Sequence, residues 1–425
     1  MRIAFTTLGC KINQFETDVL RQDLEASGNI IVPFAADADV YIINTCSVTA
    51  RSDYQCRQAI RSAVRRGQGA KVVVMGCYAE LHPEDIKKIA GVDHIFGARD
   101  KDRIPVLLSA ALSPIPNRGE PVAGKNTVKA VQNRTRGFLK IQDGCNSHCS
   151  YCIVPFARGS SKSVPARQVM QAFERMVRDG YPEIVLTGIH IGTYGSDLGS
   201  GISLTKLLST LLATRGEARI RLSSIEPQEI TQELIGLLGN GLCRHLHIPL
   251  QSGDDTILAS MKRSYTADFY KELLDGISEQ VPGMALGADV MVGFPGEGEL
   301  EFQNSMRLVE QSPLTHLHVF SYSPRPGTLA MDMKDQVPDR VKKIRNKVLR
   351  DLAKEKNMRF RKGQAGLELE AVVLNKQDRH TGLLTGLTDN YIATHIFKAK
   401  KEHIGKRVRI IIQDINNDQS YAEIL

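Results

Sequence analysis

Short β-rich runs alternate with helical stretches through the first hundred residues, and this alternation constrains the fold more than any other feature. The helical stretches are amphipathic, as in residues 48–66. Strands and helices that alternate at this interval predict a parallel α/β sheet, which we place in a domain spanning residues 1–112. The β-rich runs are RIAFTTLGC, ADVYIINTC, AKVVVMGC and VDHIFG.

The same alternation resumes between residues 138 and 335, with helical stretches at 166–179 and 266–280. Six β–α units suit a partial (β/α)6 barrel, in which active sites lie at the carboxyl ends of the strands. A doubly wound sheet is the alternative, because periodicity alone does not separate the two. The candidate strands are FLKIQ, EIVLTG, ARIRLSS, HLHIPL, ALGADVMVGF and LTHLHVFSYS.

Three further segments complete the predicted organisation. Residues 113–137 are rich in Pro, Gly and Asn and are typical of a linker. Residues 339–362 predict a basic helix that closes a domain spanning 138–360. Residues 361–425 contain short β runs broken by Gly, Asn and Asp, which favour a small all-β barrel. The basic helix carries a predicted apolar stripe of Val341, Ile344, Val348 and Leu352.

Charge and cysteine content narrow the class of protein. The chain has 55 Lys and Arg against 47 Asp and Glu, a net charge of +8, which hints at a polyanionic partner. Eight cysteines in 425 residues are too few for a disulfide scaffold, so clustered cysteines indicate metal or redox chemistry. The N-terminus turns polar too early for a signal peptide and no apolar run is long enough for a membrane helix, so we expect a cytoplasmic protein without membrane contact.

Three cysteines lie in one short loop, with the spacing C-x3-C-x2-C: Cys145, Cys149 and Cys152. A [4Fe–4S] cluster normally takes one thiolate per iron, so three thiolates would leave one iron open for a substrate. The alternative is a structural zinc site in which His148 is the fourth ligand. Zinc motifs usually come as paired halves, no second half follows, and His148 directly precedes Cys149, all of which disfavours zinc.

This motif at the start of a (β/α) barrel resembles the radical S-adenosylmethionine (SAM) superfamily. The resemblance implies that the open iron chelates SAM, that reductive cleavage of SAM yields a radical, and that Tyr151 lies against the adenine of SAM. The segment ADVMVGFPGE, with Asp289, resembles the SAM-contacting fifth strand of the superfamily. LTGIHIGTYGSD, with Gly188, takes the place of the second-strand motif that holds the SAM amino group. Ordinary tight turns are the alternative for both segments.

A second set of three cysteines ends three predicted parallel strands: Cys10, Cys46 and Cys77. The carboxyl ends of neighbouring strands, about 4.8 Å apart, can converge on one cluster. The alternative is that these are buried cysteines of a β-rich core. Cys56 and Cys243 have no comparable context and are treated as ordinary residues.

Across nearly its whole length the chain resembles the radical SAM methylthiotransferases. That family combines a flavodoxin-like N-terminal domain with three cysteines, a radical SAM barrel and a small OB-like barrel, the RNA-binding TRAM domain. Further matches are HLHIPLQSGDDTILASMKRSYT and SYSPRPGTLA. The segment GFPGEGELEF departs from the acidic or Thr-rich stretch that is common in the family, which leaves any role of Gly298 or Glu299 in doubt.

The resemblance implies a transferase that replaces an aryl C–H bond by C–S–CH3. Its cofactors would be SAM and two [4Fe–4S] clusters, one on each cysteine set, facing each other across the substrate cavity. The implied partners are the tRNA anticodon loop, an electron donor such as flavodoxin or ferredoxin, and a sulfur donor. An anticodon-loop base unstacks easily, so flipping it into a cavity costs only a few kcal/mol.

The segment TLGCKINQFETD resembles the MtaB type of the family, which converts N6-threonylcarbamoyladenosine at position 37 of tRNA to its 2-methylthio derivative. The isopentenyladenosine type usually has YGCQMN there. Methylthiotransferase action on isopentenyladenosine or on a ribosomal-protein aspartate is the enzymatic alternative. An iron–sulfur protein that binds RNA or senses redox state is the non-enzymatic one.

Four more residues follow predicted strands, where a barrel builds its site. Arg325 could pair with a carboxylate, such as the threonyl one of the substrate, by a bidentate contact. Gln251 and Ser252 could reach the SAM ribose or carboxylate, and Glu226 is a further candidate for cofactor binding. A structural salt bridge is the alternative for Arg325 and Glu226.

Overall fold

The computed structural model describes residues 1–67, 69–100, 106, 135–416 and 419–425. Its chain divides into two units, each described by itself. The N-terminal unit consists of Met1–Gln132, Gln142–Lys162 and Ser323–Met331, and the barrel unit of Asn133–Ile141, Ser163–Tyr322 and Asp332–Leu425.

The division differs from the predicted domain boundaries in one respect. The loop with Cys145, Cys149 and Cys152 and the segment Ser323–Met331 group with the N-terminal unit, although both were predicted to belong to the 138–360 domain. Most of the predicted linker, 113–137, lies outside the described residues. The boundaries at 112 and 360 stay predictions.

The N-terminal unit contains a parallel five-stranded sheet, as predicted. The order of the strands along the sheet is second, first, third, fourth and fifth, which is the flavodoxin-like order. In that order the strands are Ile30–Val32, Arg2–Thr7, Val40–Thr45, Lys71–Gly76 and His94–Gly97.

Helices cover both faces of this sheet. Successive residues of a strand point to opposite faces, so Tyr41 and Ile43 belong to a core with Ile60 of the helix Ala50–Arg66. Val40 and Ile42 belong to a second core with Leu20 and Leu24 of the helix Lys11–Ala26. Burial on both faces explains the continuous apolar run of the central strand.

The barrel unit contains the predicted six parallel strands in chain order. Two three-stranded sheets are joined by bridges between Ile220 and Leu242 and between Ser224 and His247. Six strands in chain order confirm the partial (β/α)6 barrel and exclude the doubly wound alternative, in which the order reverses. The strands are Gly137–Lys140, Glu183–Thr187, Arg219–Leu222, His245–His247, Ala285–Val292 and His316–Ser321.

The C-terminal part of this unit is a closed five-stranded barrel, which confirms the predicted small all-β domain. Its core consists of alternate apolar residues such as Leu369, Ala371, Val373, Ile410 and Ile412. In order around the barrel the strands are Glu368–Gln377, Leu384–Thr388, Ala393–Phe397, Gln419–Ile424 and Arg407–Asn416.

The basic helix spans Asp339–Lys362, but the predicted apolar stripe is not its buried side. Ile344 is 57% exposed and Val348 is 40% exposed. Lys342 and Arg345 are among the buried residues instead, and Arg345 donates a 2.7 Å hydrogen bond to Glu297. Ion pairs with distant carboxylates can bury cations that a helical apolar pattern assigns to solvent.

The remaining elements are short or connect the strands. The α-helices not yet mentioned are Cys77–Leu81, Pro83–Lys87, Val154–Arg158, Ala166–Arg178, Leu204–Thr214, Gln232–Ile235, Asp255–Ser260, Ala267–Gln280 and Glu299–Gln311. Gln142–Asp143 and Lys162–Ser163 form a two-stranded pair. Among the described residues we find no helix with the length and apolar character that crossing a membrane requires.

Candidate active site

The first cysteine set lies at one edge of the N-terminal sheet. Three adjacent strands, Arg2–Thr7, Val40–Thr45 and Lys71–Gly76, are parallel and therefore end at the same edge. Cys46 directly follows the second of them, and Cys77 begins a short helix directly after the third. Cys10 follows the first strand after a short turn and caps the helix Lys11–Ala26. The structure thus brings the three thiols to the edge where the sequence predicted them.

Gly9 allows the Cys10 loop to approach Cys46. Its φ is +102°, and a Cβ at this position would lie 2.6 Å from the Cβ and 2.9 Å from the Sγ of Cys46. An L residue other than glycine would suffer both the backbone strain and the clash. The Cys10 Sγ donates to the Asn13 Oδ1 at 3.6 Å, which fixes the thiol over the start of the helix.

Burial and one nearby cation act in opposite directions on these thiols. Burial raises the pKa of Cys77 to about 12, and the positive charge of Arg158 opposes that increase. Burial also raises the pKa of Cys46, and Cys10 is near enough to raise it further. A metal cluster takes thiolates, so a cation near Cys46 and Cys77 fits a site that binds their thiols in the deprotonated form.

Cys56, which we treated as an ordinary residue, supports Cys46. The Cys46 N–H donates to the Cys56 Sγ at 3.3 Å, and the Cys56 thiol donates to the Cys46 carbonyl at 3.3 Å. Burial raises the pKa of Cys56 to about 12, so it stays a neutral thiol at ordinary pH. The separation of ten residues along the chain gave no indication of this contact.

The second cysteine set lies on the loop after Gln142–Asp143, in the same unit. Gly144 has a φ of +70°, and a Cβ there would lie 2.7 Å from the carbonyl oxygen of Gly159. This close approach lets the Cys145 N–H donate to the same carbonyl at 3.1 Å. The Ser147 N–H donates to the Cys145 Sγ at 3.3 Å, and amide donors to sulfur are typical of cluster loops.

None of the eight cysteines, all of which the structure describes, forms a disulfide. In the first set Cys46 and Cys77 are buried and Cys10 is exposed, whereas the three cysteines of the loop are all half-buried. A half-buried set suits a cluster that has to receive a soluble cofactor. Three thiols on one loop, with an amide that donates to the Cys145 sulfur, therefore fit the [4Fe–4S] cluster that a radical SAM enzyme carries.

The segment Ser323–Met331 contacts the surroundings of both sets. The Ala330 N–H donates to the Ser150 carbonyl at 2.8 Å, between Cys149 and Cys152. Arg325 was predicted to pair with a substrate carboxylate. Its Nη2 instead donates to Asp53 at 2.6 Å and to Ser47 at 2.9 Å, beside Cys46. The buried guanidinium is thus held by an internal carboxylate, and the predicted role of Arg325 towards the substrate stays a prediction.

Two residues of the barrel unit that were predicted to contact SAM have side chains that bind other residues of the protein. Glu226 pairs with Arg263, and burial raises the pKa of the Glu226 carboxyl. Ser252 is fully buried, and its hydroxyl hydrogen-bonds the Ser305 hydroxyl at 3.2 Å. Both side chains thus have partners within the protein, and their roles as SAM contacts stay predictions.

Gln251 and Asp289 remain candidates because of their geometry. Gln251 has a φ of +64°, unusual for a residue with a side chain, and its buried Oε1 has no hydrogen-bond partner among the described residues. Its backbone N–H donates to the Asp289 carbonyl at 2.8 Å, so the two residues are adjacent. Gly188 and Tyr151 are half-buried, Gly188 just after the strand Glu183–Thr187 and Tyr151 beside Cys152. The roles of all four stay predictions.

Asp289 lies between two histidines that the sequence analysis did not select. Its Oδ1 is 3.1 Å from Nε2 of His247 and 3.3 Å from Nδ1 of His318. Burial opposes ionisation of Asp289, but hydrogen bonds from the two histidines hold its pKa below the ordinary range. Alternate residues of adjacent strands share one face, so the positions of His247, Asp289 and His318 in the strand register would have indicated this contact.

Models of two families match the chain. The one described as uncharacterized protein family UPF0004 matches residues 2–97, and the radical SAM superfamily matches residues 139–309. The boundaries of the two matches agree with the flavodoxin-like sheet and with most of the six-stranded barrel. Membership of the radical SAM superfamily implies SAM and a [4Fe–4S] cluster as cofactors.

Curated relatives match over nearly the whole chain. The threonylcarbamoyladenosine tRNA methylthiotransferase MtaB of Bacillus subtilis is 39% identical, over 96% of this chain and 93% of the relative. The MtaB of Aquifex aeolicus is 37% identical, over 97% and 100%. A tRNA-2-methylthio-N(6)-dimethylallyladenosine synthase of Fervidobacterium nodosum is 32% identical, over 100% and 99%.

Among solved structures, the radical SAM methyltransferase TsrM of Kitasatospora setae has the same fold. It aligns with a TM-score of 0.59 at 15% identity, over 78% of this chain and 77% of TsrM. At that identity the likeness concerns the fold alone. The near full-length sequence matches go further, and this chain belongs to the radical SAM methylthiotransferase family, in its MtaB group.

Proposed function

We propose that this chain is a tRNA methylthiotransferase that converts N6-threonylcarbamoyladenosine, beside the anticodon, to its 2-methylthio derivative. The observation that carries the proposal is a match of 39% identity over 96% of the chain to an MtaB enzyme. The similarity to the dimethylallyladenosine enzyme of Fervidobacterium nodosum is lower, at 32% identity. Two sets of three thiols, both in one unit, could hold the two iron–sulfur clusters that such a reaction needs.

Each cysteine set has its own role in the proposal. Cys145, Cys149 and Cys152 hold the cluster that binds SAM, and they leave one iron without a protein ligand. Cys10, Cys46 and Cys77 hold a second cluster. When bound, SAM and the two clusters supply the radical that breaks an unactivated C–H bond and the methylated sulfur that replaces hydrogen. The protein's own task is to keep the six thiols in place and to exclude water from the reacting carbon.

The residues proposed to hold SAM are Tyr151, Gly188, Gln251 and Asp289. A buried, unsatisfied Gln251 oxygen on a strained backbone supports a ligand contact, because such groups cluster at functional sites. Asp289 stays ionised, since its pKa is held low by His247 and His318 despite burial. An ionised carboxylate of this kind could accept hydrogen bonds from an amino or hydroxyl group of the cofactor.

The C-terminal barrel is proposed to bind the tRNA, in the manner of a TRAM domain. Phe397 is 39% exposed and its ring stacks on Tyr421 with the centroids 5.7 Å apart. Lys400 and Lys401, three and four residues after Phe397 in the chain, are exposed. Exposed rings next to cations are typical of surfaces that stack bases and contact phosphates. An electron donor such as flavodoxin or ferredoxin and a sulfur donor complete the proposed partners.

Mass spectrometry of tRNA nucleosides tests the substrate. In a strain that lacks this gene, 2-methylthio-threonylcarbamoyladenosine should disappear while threonylcarbamoyladenosine accumulates. Reintroduction of the full chain should restore it, and a variant with Cys145→Ala should not. Normal levels of the methylthio nucleoside in the deletion strain, without a second enzyme that makes it, would refute the proposed substrate.

A further inference from the structure

One buried arginine in the N-terminal unit contacts the surroundings of both cysteine sets. Arg158 ends the short helix Val154–Arg158 and is only 5% exposed. Its Nη1 lies 2.9 Å from a carboxylate oxygen of Glu16 and 3.2 Å from one of Asp143. Its Nη2 donates to the Oδ1 of Asn13 at 2.6 Å. A buried cation with this many partners is held in one geometry.

Through Asn13, Arg158 reaches the first cysteine set. The Asn13 Oδ1 that accepts from Arg158 also accepts from the Cys10 Sγ at 3.6 Å. The Asn13 amide group donates to the carbonyl of Leu8 at 2.8 Å and to that of Thr45 at 3.0 Å. Asn13 therefore ties together the chain just before Cys10 and the residue just before Cys46, and Arg158 fixes the orientation of its amide.

Through Asp143, Arg158 reaches the second set. Asp143 precedes Gly144 and Cys145, and its Oδ1 accepts from the Gly144 N–H at 2.8 Å as well as from Arg158. The position of Asp143 sets where the cysteine loop begins. Arg158 thus links the start of this loop to the helix that follows Cys10, within one unit.

The charge of Arg158 also acts on the thiols. Its Nη2 donates to the same Asn13 oxygen as the Cys10 thiol, so the positive charge lies close to the first cysteine set. The Glu16 carboxylate, 2.9 Å from Nη1 of Arg158, brings a negative charge to the same place. Net charge near an iron–sulfur cluster is one of the determinants of its reduction potential. A positive charge favours the reduced, more negative form, and a negative charge disfavours it.

We propose that Arg158 is a positioning residue shared by both cysteine sets, and that its charge raises the reduction potential of the cluster on Cys10, Cys46 and Cys77. The proposal rests on the proposed function, because that second cluster is part of it. Arg158 and Glu16 are a pair with opposite effects: removal of the cation lowers the potential, and removal of the anion raises it. A purely structural role for the pair predicts no such opposition.

The test measures the second cluster alone. The full chain with Cys145, Cys149 and Cys152 changed to Ala is reconstituted anaerobically with iron and sulfide, and its midpoint potential is titrated with detection by electron paramagnetic resonance. In this background Arg158→Gln should shift the one-electron reduction equilibrium at least tenfold towards the oxidised form, which is 59 mV. Glu16→Gln should shift the potential upwards, and Arg158→Lys should restore most of the wild-type value.

Arg66→Gln is the matched control, since Arg66 is an exposed arginine of the same unit that hydrogen-bonds the Ala35 carbonyl. It should leave the potential unchanged. Shifts of Arg158→Gln and Glu16→Gln in the same direction, or no shift in either, would overturn the inference while the proposed function stands. If Arg158→Gln does not fold, Glu16→Gln and Arg158→Lys still decide it. A background protein that binds no iron would instead refute the proposed second cluster, and the inference with it.

Discussion

Arg325 donates a 2.6 Å hydrogen bond to Asp53, and both side chains are buried. Ser47 completes the contact, because its hydroxyl donates to the other Asp53 oxygen at 2.7 Å. Asp53 lies on the helix after Cys46, and Arg325 lies on the segment Ser323–Met331. The pair thus holds that segment against the surroundings of the first cysteine set.

Replacement of Asp53 by Asn should destabilise the protein, because it leaves the Arg325 charge buried without a carboxylate. Breaking a buried pair in this way costs about 3–5 kcal/mol. The thermal unfolding midpoint of the anaerobic protein is the measurement. Asp275→Asn removes the carboxylate of an exposed pair with Lys271 and should lower the unfolding midpoint far less, because solvent screens exposed pairs. Equal effects of the two variants would contradict this account.

Gly9→Ala should release the iron of the first cysteine set. The added Cβ would clash with the Cβ and Sγ of Cys46, at 2.6 and 2.9 Å, so Cys10 and Cys46 could no longer approach. Iron per chain should fall from about eight to about four after reconstitution. Gly28→Ala is the matched control: Gly28 has a φ of +82° but nothing within 4 Å of a Cβ. Iron loss in both variants would point to backbone strain rather than to the close approach.

The sequence predicted the placement of the cysteines but not the contacts that hold them. Cys46 and Cys77 directly follow strands whose β-rich pattern is local, so their common edge could be inferred from the chain. The contact of Glu16 with Arg158 joins residues 142 positions apart, and no local pattern encodes such a pair. The same holds for Arg325 and Asp53, which lie 272 positions apart.

For the basic helix, the sequence predicted the element but not the face that is buried. Its sequence places Val341, Ile344, Val348 and Leu352 on one stripe, yet Ile344 and Val348 are among the exposed large apolar residues. Lys356 is buried instead, and its ammonium donates to the carbonyls of Glu310 and Ser312 at 3.0 and 2.8 Å. Periodicity identifies the helix, but the partners that satisfy a buried cation decide which face is inside.

Glu183→Gln should loosen the C-terminal barrel from the six-stranded barrel. Glu183 is fully buried and accepts hydrogen bonds from Arg219 at 2.8 Å and from Arg221 at 2.8 and 2.9 Å. The two arginines also donate to the carbonyls of Leu387 and Thr388 in the C-terminal barrel, at 2.7 and 2.9 Å. Removal of the Glu183 charge between the two arginines should lower the unfolding midpoint. The free energy of unfolding should fall by about 3–5 kcal/mol.

The pH dependence of this effect follows from the pKa of Glu183. Burial would raise that pKa, but the charges of Arg221 and Arg219 lower it well below the ordinary value of 4.5. A lowered carboxyl pKa gives stability that is fully present above the unfolded-state pKa and is lost only as the pH falls towards the folded-state value. The difference between wild type and Glu183→Gln should therefore be constant from about pH 5.5 to 8. A difference that varies within this window would contradict the assignment.

Lys400→Ala combined with Lys401→Ala should weaken tRNA binding and reduce its salt dependence. If both ammonium groups neutralise phosphates, the slope of log K against log salt becomes less negative by about 0.7–1 for each lysine removed. Fluorescence anisotropy of labelled tRNA at several salt concentrations measures the slope. Lys87→Ala and Lys88→Ala, on exposed lysines of the N-terminal unit, serve as the control. An unchanged slope would remove this surface from the proposed tRNA site.

The most direct test of the central claim is the reaction itself, followed by mass spectrometry of tRNA nucleosides. The anaerobically reconstituted full chain is incubated with SAM, a low-potential reductant and tRNA from a strain that lacks this gene. We predict that threonylcarbamoyladenosine gains one methylthio group in place of hydrogen, and that Cys46→Ser abolishes this gain whereas Cys56→Ser does not. Methylthiolation of isopentenyladenosine with threonylcarbamoyladenosine unchanged, or cleavage of SAM with neither nucleoside modified, would contradict the account.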